Sequence, residues 1–290
     1  MSAPSSEPTP TAPPTTVDWP APREQFLEVD GARLRVRTRG SGNALLLITG
    51  IGAGLDLALP FETALVRRGV QVISYDSPGV GQSTGYRCPR RMPGVARTIE
   101  RVLDELGHRQ VDVLGVSLGG VIAQQLAHQA PDRVRRLILC ATGAGVVGLG
   151  GIPGSPRAMV EMITPRRYRS PDRYRKVAGM LYGGSARQGP DALLHGSLAR
   201  FAKPPGLAGY IAQLYALSFW TALPWLRTLP QRTLVLHGDD DPIVPAANGR
   251  KLAKHIPDST LHVVEGGGHL FILERPAEIA VLVDDFLRRD

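Results

Sequence analysis

The feature that most constrains this chain is a set of short apolar runs without polar alternation. ALLLIT (Ala44–Thr49), VDVLGV (Val111–Val116) and TLVLHG (Thr233–Gly238) show it best, among further β-type runs at VQVISYD (Val70–Asp76), VRRLILCAT (Val134–Thr142) and TLHVVEG (Thr260–Gly266). A strand with one face in water alternates in polarity; one without alternation is covered on both faces, as in parallel sheets. Helical periods fill the gaps at Glu62–Arg68, Gly94–Leu106, Leu118–Ala130, Ala246–Ile256 and Ala277–Arg288. Strand and helix therefore alternate, which predicts an α/β fold with a mostly parallel, doubly wound sheet. FLEVDGARLRVRTRG adds a hairpin around Asp30-Gly31.

The alternation breaks once. Between Gly143 and Thr228 there is no convincing strand, only helical segments with prolines between them, which predicts an inserted helical cap at 143–228. The core is then 23–142 and 229–290. With 290 residues, 43% of them hydrophobic, the chain can bury one large core and an insertion. Residues 1–22 hold seven of the 25 prolines and no apolar run, so a disordered tail is expected there rather than a secretory signal. No stretch approaches the ~18 apolar residues of a spanning helix. Cys88 and Cys140 are too few for a disulfide framework and point to reduced thiols in the cytoplasm. The net charge is +8, and Gly150–Pro205 alone carries ten Lys/Arg against three acids. That segment is either a solvated face or a surface for an anionic partner; no nucleic-acid motif accompanies it.

Gly115-Val116-Ser117-Leu118-Gly119 puts a serine between a strand that ends at Val116 and a helix that starts at Leu118. Only a strained turn joins the two so quickly, and the glycines at 115, 119 and 120 remove side chains that would collide across it. The Ser117 hydroxyl is thereby exposed as a nucleophile at a helix N-terminus. It needs a base and the base an orienting acid. His269 lies in a glycine-flanked loop between the last strand and the last helix. His108, His128, His195, His237, His255 and His262 fit worse, on helices, within strands or in the cap. For the acid, Asp241 is chosen from Asp239, Asp240 and Asp241, because it lies farthest past the strand and next to a proline. The order Ser117, Asp241, His269 suits this chemistry. Two backbone N–H groups, of Ile51 and Leu118, are the candidate oxyanion donors. No dinucleotide fingerprint or metal-ligand spacing is present, so no cofactor and no metal are expected.

Together these residues resemble the α/β-hydrolase fold superfamily from about Phe26 onward. Thr49–Ala53, Asp76–Ser83, Gly115–His128, Pro165–Tyr168, Tyr182–Gly184, Trp220–Leu226 and Gly238–Pro245 are further similar to intracellular depolymerases of medium-chain-length polyhydroxyalkanoates. That resemblance implies a Ser117–His269–Asp241 triad acting on esters. The family usually has Trp where Leu118 stands, Asn at Thr49, and acidic residues at Gly267 and Gly268. Tyr215, Phe219, Trp220 and Trp225 of the cap are candidate substrate-binding residues. The expected partner is an ester or polyester, with the surface of a polymer granule as a docking partner for the basic segment; no nucleic acid and no integral membrane segment are expected. General carboxylesterase, carbon–carbon bond hydrolase, cofactor-free haloperoxidase or perhydrolase, and a ligand receptor on the same fold are the alternatives.

Overall fold

The computed structural model describes residues 21–189 and 204–289. Most of the expected N-terminal tail, and within the cap region His195, Arg200 and Lys203, lie outside the described residues. Eight strands form one sheet: β1 Arg23–Val29, β2 Ala32–Arg39, β3 Ala44–Ile48, β4 Gln71–Tyr75, β5 Val111–Val116, β6 Val134–Cys140, β7 Arg232–Gly238 and β8 Ser259–Val264. Their order is β1-β2-β4-β3-β5-β6-β7-β8. β1 and β2 pair antiparallel, as do β2 and β4, and every pair from β4 to β8 is parallel. The hairpin turns through Asp30 (φ 56°) and Gly31 (φ 76°), the two positive values that a type I′ turn needs.

The apolar runs are explained by two layers of helices. Helix α1 (Leu59–Val66) and the C-terminal helix α10 (Pro276–Arg288) cover one face of the sheet, and α2 (Met92–Glu105) and α3 (Leu118–Gln129) cover the other. Leu45 and Leu47 pack into the first layer, Leu46 and Ile48 into the second, and all four are fully buried. Burying a leucine or isoleucine of this kind contributes about 1.5–3 kcal/mol. Asp112 in β5 and Arg35 in β2 are buried and paired: Asp112 accepts from Arg135 Nε at 2.9 Å, and Arg35 donates to Glu24 and Asp56.

Between β6 and β7 the described chain is helical: α4 (Pro156–Met162), a 3-10 turn at Pro165–Tyr168, α5 (Pro171–Tyr182), α6 (Ser185–Gln188) and α7 (Leu207–Leu217). Prolines 156, 165 and 171 each open a helical turn, where a missing N–H costs nothing. Tyr174, Ala178, Leu181 and Ala186 bury against one another and against Ile243 and Leu270, so this segment sits over the ends of β7 and β8. At its other side α7 crosses the turn after β4 backbone to backbone: a Cβ on Gly79 would meet Gly209 Cα at 2.6 Å. That turn is held by Asp76, whose carboxylate accepts from Leu55 N and Gln82 N, both at 2.8 Å. After β7 come α8 (Ala246–His255) and, beyond β8, the short α9 (Phe271–Glu274).

Candidate active site

Ser117 is the single residue between β5 and α3 and adopts φ 55°, ψ −116°. For a non-glycine residue this is a strained backbone, and such strain persists only where surroundings enforce it. Here they do. The Ser117 N–H donates to Cys140 O at 2.9 Å, and its carbonyl accepts from Thr142 Oγ1 at 2.8 Å. A Cβ on Gly119 would lie 2.1 Å from Ile48 O, and one on Gly115 would lie 2.2 Å from Gly119 O. The corner can be this tight only because β3, β5 and α3 meet through glycine.

His269 follows β8 in a loop packed on the helical segment. Its N–H donates to Tyr182 O at 2.7 Å, and a Cβ on Gly268 would be 2.2 Å from that same oxygen. There is no room for a side chain at 268, a physical reason for glycine at this departure from the family pattern. His269 Nδ1 is 2.7 Å from Asp241 Oδ2, and both side chains are almost wholly buried. The other oxygen, Oδ1, accepts from Ile243 N at 2.8 Å and Val244 N at 2.9 Å. A carboxylate so engaged accepts from Nδ1–H and leaves Nε2 as the ring's acceptor.

The three neighbouring aspartates differ by environment. Asp240 Oδ2 accepts from Arg187 Nε and from Gly184 N, each at 2.7 Å. The guanidinium holds its carboxyl below the usual range, opposed by partial burial. Asp241 is the one that reaches His269. His237 is fully buried, with Nε2 at 2.9 Å from Thr142 O, and burial pushes its pKa down to about 4.

Two cavities meet at Ser117. One is bordered by Ser117, His269, Ile51, Arg167 and Tyr168. The other, of about 240 Å³, is bordered by Ser117, Leu118, Met159, Leu214 and Leu217. Ile51, Met162 and Ile243 border both. Among the described residues, neither the Ile51 nor the Leu118 N–H has an acceptor, so both are free to donate. Among the described residues no cluster of three or more His, Cys, Asp or Glu could hold a metal.

The four aromatic residues expected to bind substrate line neither cavity. Tyr215 lies on the outer face of α7 beneath the Arg91 guanidinium, 4.1 Å from its ring centre. Phe219 is 80% exposed. Trp220 is buried and donates from Nε1 to Gln125 at 2.9 Å, and Trp225 stacks on His128 at 4.2 Å. The two tryptophans wedge the segment against α3 instead of facing the cavities. The cavity-facing side of α7 is Leu214 and Leu217, which the sequence reading missed because α7 is apolar nearly all round and gives little helical periodicity. It also missed Arg167, whose buried guanidinium donates to the hydroxyls of Tyr168, Tyr182 and Tyr210 at 3.3, 3.2 and 3.0 Å. Within the basic segment Arg173 pairs with Glu161 and Arg175 with Asp172, while Arg157, Arg166, Arg169 and Lys176 are exposed.

Residues 43–276 match the family described as the alpha/beta hydrolase fold. A poly(3-hydroxyalkanoate) depolymerase from Ectopseudomonas oleovorans is 42% identical, covering 91% of this chain and 92% of the relative. A 2-hydroxymuconate semialdehyde hydrolase from Pseudomonas sp. strain CF600 is 34% identical over 89% of this chain and 91% of its own. Among solved structures, a thermophilic esterase from Thermogutta terrifontis superimposes with a TM-score of 0.76 at 24% identity, covering 92% of this chain and 98% of that one. At that identity the likeness speaks for the fold.

Proposed function

The chain belongs to the α/β-hydrolase fold family, and from that premise we propose that it is a serine hydrolase of polyhydroxyalkanoate esters working in the cytoplasm. The observation that carries the reading is His269, bound through Nδ1 to Asp241 at 2.7 Å and bordering the same cavity as Ser117. In the proposed reaction His269 Nε2 takes the Ser117 proton as Oγ attacks the ester carbonyl. The N–H groups of Ile51 and Leu118 receive the oxyanion, each contributing about 3–4 kcal/mol. The imidazolium, oriented by Asp241, protonates the leaving alkoxide. Water then attacks the acyl-enzyme with His269 as base, releasing a 3-hydroxy acid and the Ser117 hydroxyl. The helical segment acts as a cap; its Met159, Leu214 and Leu217 side chains hold the acyl side chain. The 42% identity to a named depolymerase supports the polyester as substrate. Exposed Arg157, Arg166, Arg169 and Lys176 suit a granule surface of opposite charge.

Purified protein offered polyhydroxyalkanoate emulsion, p-nitrophenyl esters and a vinylogous diketone tests this. Release of soluble 3-hydroxy acids from the emulsion supports the depolymerase, whereas fast turnover of short esters with an inert emulsion refutes it. Full activity of Ser117→Ala would discredit the mechanism. The 34% identity to a 2-hydroxymuconate semialdehyde hydrolase favours carbon–carbon hydrolysis as the second reading; cleavage of the diketone alone would select it.

A further inference from the structure

The loop that carries Ile51 is a tight turn. Gly50 O accepts from Ala53 N at 3.1 Å, and Gly52, third of the four residues, has φ 68°, as a type II turn requires. Thr49 Oγ1 braces it from within by donating to Ala53 O at 2.7 Å. Type I and type II turns differ by rotation of the central peptide unit, here Ile51 C=O with Gly52 N–H. Glycine at the third position makes that rotation sterically open.

Both ends of this one peptide unit are held by the helical segment. Tyr168 Oη donates to Ile51 O at 2.9 Å, and Gln213 Oε1 accepts from Gly52 N at 2.8 Å. The partners come from the 3-10 turn and from α7, 117 and 161 residues away in sequence. Tyr168 is 4% exposed and Gln213 8%, so water does not compete for either bond. Arg167 Nη2 fixes the phenol in turn, at 3.3 Å. A Cβ on Gly52 would meet Tyr168, Tyr210 and Pro205 at 3.1 Å each, so the segment rests directly on the turn. Since a peptide unit is planar, gripping its oxygen and its nitrogen fixes its rotation. The unit before it is fixed by Gly50 O. Ile51 therefore sits between two immobilised planes, with its own N–H turned to no acceptor.

We infer that Tyr168 and Gln213 are positioning residues of the oxyanion site: they lock the 51–52 peptide so that its dipole cannot reverse beside the Ile51 N–H. The inference rests on the reading of Ser117 as nucleophile and Ile51 as oxyanion donor. It makes seating of the helical segment a condition for transition-state stabilisation and not only for enclosing the substrate. Neither residue is asked to touch the reacting atoms.

The test is steady-state hydrolysis of p-nitrophenyl octanoate together with inhibition by octylboronic acid, whose serine adduct places an oxygen at the oxyanion position. Tyr168→Phe and Gln213→Leu are expected to lower kcat roughly tenfold to a hundredfold, with KM within about threefold, and to weaken boronate inhibition by the same factor as kcat. Gln213→Glu keeps an acceptor for the Gly52 N–H and is expected to recover most of the kcat lost in Gln213→Leu. Variants with native thermal melts that keep kcat and boronate affinity within about twofold overturn the inference, and so does a change in KM alone, which marks substrate contact. Should Tyr168→Phe fail to fold, the Gln213 pair decides alone. Failure of the underlying reading is seen separately, as an active Ser117→Ala enzyme or a native enzyme indifferent to the boronate.

Discussion

Asp241→Asn isolates the orienting acid, and the structure sets the size of the effect. Asp241 offers one oxygen to His269 Nδ1 at 2.7 Å and the other to two backbone N–H groups at 2.8 and 2.9 Å. An asparagine amide has one acceptor oxygen and one NH₂. If the oxygen faces the histidine, the NH₂ meets the Ile243 and Val244 donors and leaves both unpaired in a buried site, at about 1–3 kcal/mol each. The amide therefore keeps its oxygen on those two N–H groups and turns NH₂ toward Nδ1. His269 must then carry its proton on Nε2, the tautomer that cannot accept from Ser117. The equivalent change in serine-protease triads costs about 10⁴-fold in kcat, and each tenfold corresponds to about 1.4 kcal/mol, so a barrier rise of about 5.5 kcal/mol is expected here. Hydrolysis of p-nitrophenyl octanoate, normalised by active-site titration and accompanied by a thermal melt, measures it. Asp240→Asn is the matched control: its carboxylate serves Arg187 and Gly184, and kcat should stay within about twofold, a half-exposed ion pair being worth about 0–1 kcal/mol. A folded Asp241→Asn enzyme with kcat within tenfold of the native value would refute the reasoning.

Gly119→Ala places a Cβ 2.1 Å from Ile48 O and 2.8 Å from Thr49 O, both backbone atoms of β3 and its end, so stability should fall by more than the ~1–3 kcal/mol of ordinary overpacking; urea denaturation within 1 kcal/mol of native would contradict this. His237, held at a pKa of about 4 against about 6.5 when unfolded, is neutral in both states above pH 6.5. Between pH 6.5 and 4 the unfolded chain takes up a proton that the folded one refuses, so stability falls with acidity by up to about 3 kcal/mol. His237→Gln should shrink that fall in urea midpoints between pH 7 and 4.5, and identical acid losses would count against it. Leu217→Trp narrows the cavity of about 240 Å³ beside Ser117. It should cut kcat/KM for octanoyl esters at least tenfold while leaving butyryl esters within about threefold; equal losses on both would place the acyl chain elsewhere.

The sheet was legible because burial on both faces writes itself into a strand as an unbroken apolar run, and Leu45–Ile48 shows why: alternate residues serve different helical layers. The corner at Ser117 was legible because glycine alone fits where an added Cβ would lie about 2 Å from a neighbouring backbone oxygen, and such places leave glycines at fixed offsets. Asp241 could be chosen over Asp240 by its place after β7, but the reason Asp240 is occupied, Arg187, lies 53 residues away in the helical segment. Distance in sequence also hid the contacts of Tyr168 and Gln213, whose partners Ile51 O and Gly52 N lie 117 and 161 residues away. The aromatic residues misled because large apolar side chains signal burial without saying against what. Trp220 and Trp225 bury against α3 and each other, and Tyr215 faces outward with Leu207 and Ile211 at helical spacing.

The backbone crossing of Gly79 and Gly209 leaves this architecture a particular freedom to diverge. Where two stretches of backbone touch without side chains, no mutation can tune the contact by degrees; it is kept or lost. The helical segment is thus pinned to the turn after β4 at a point that offers nothing to vary. Met159, Leu214 and Leu217, which border the cavity, take no part in that crossing. There the shape of the cavity beside Ser117 can change while the crossing stays as it is.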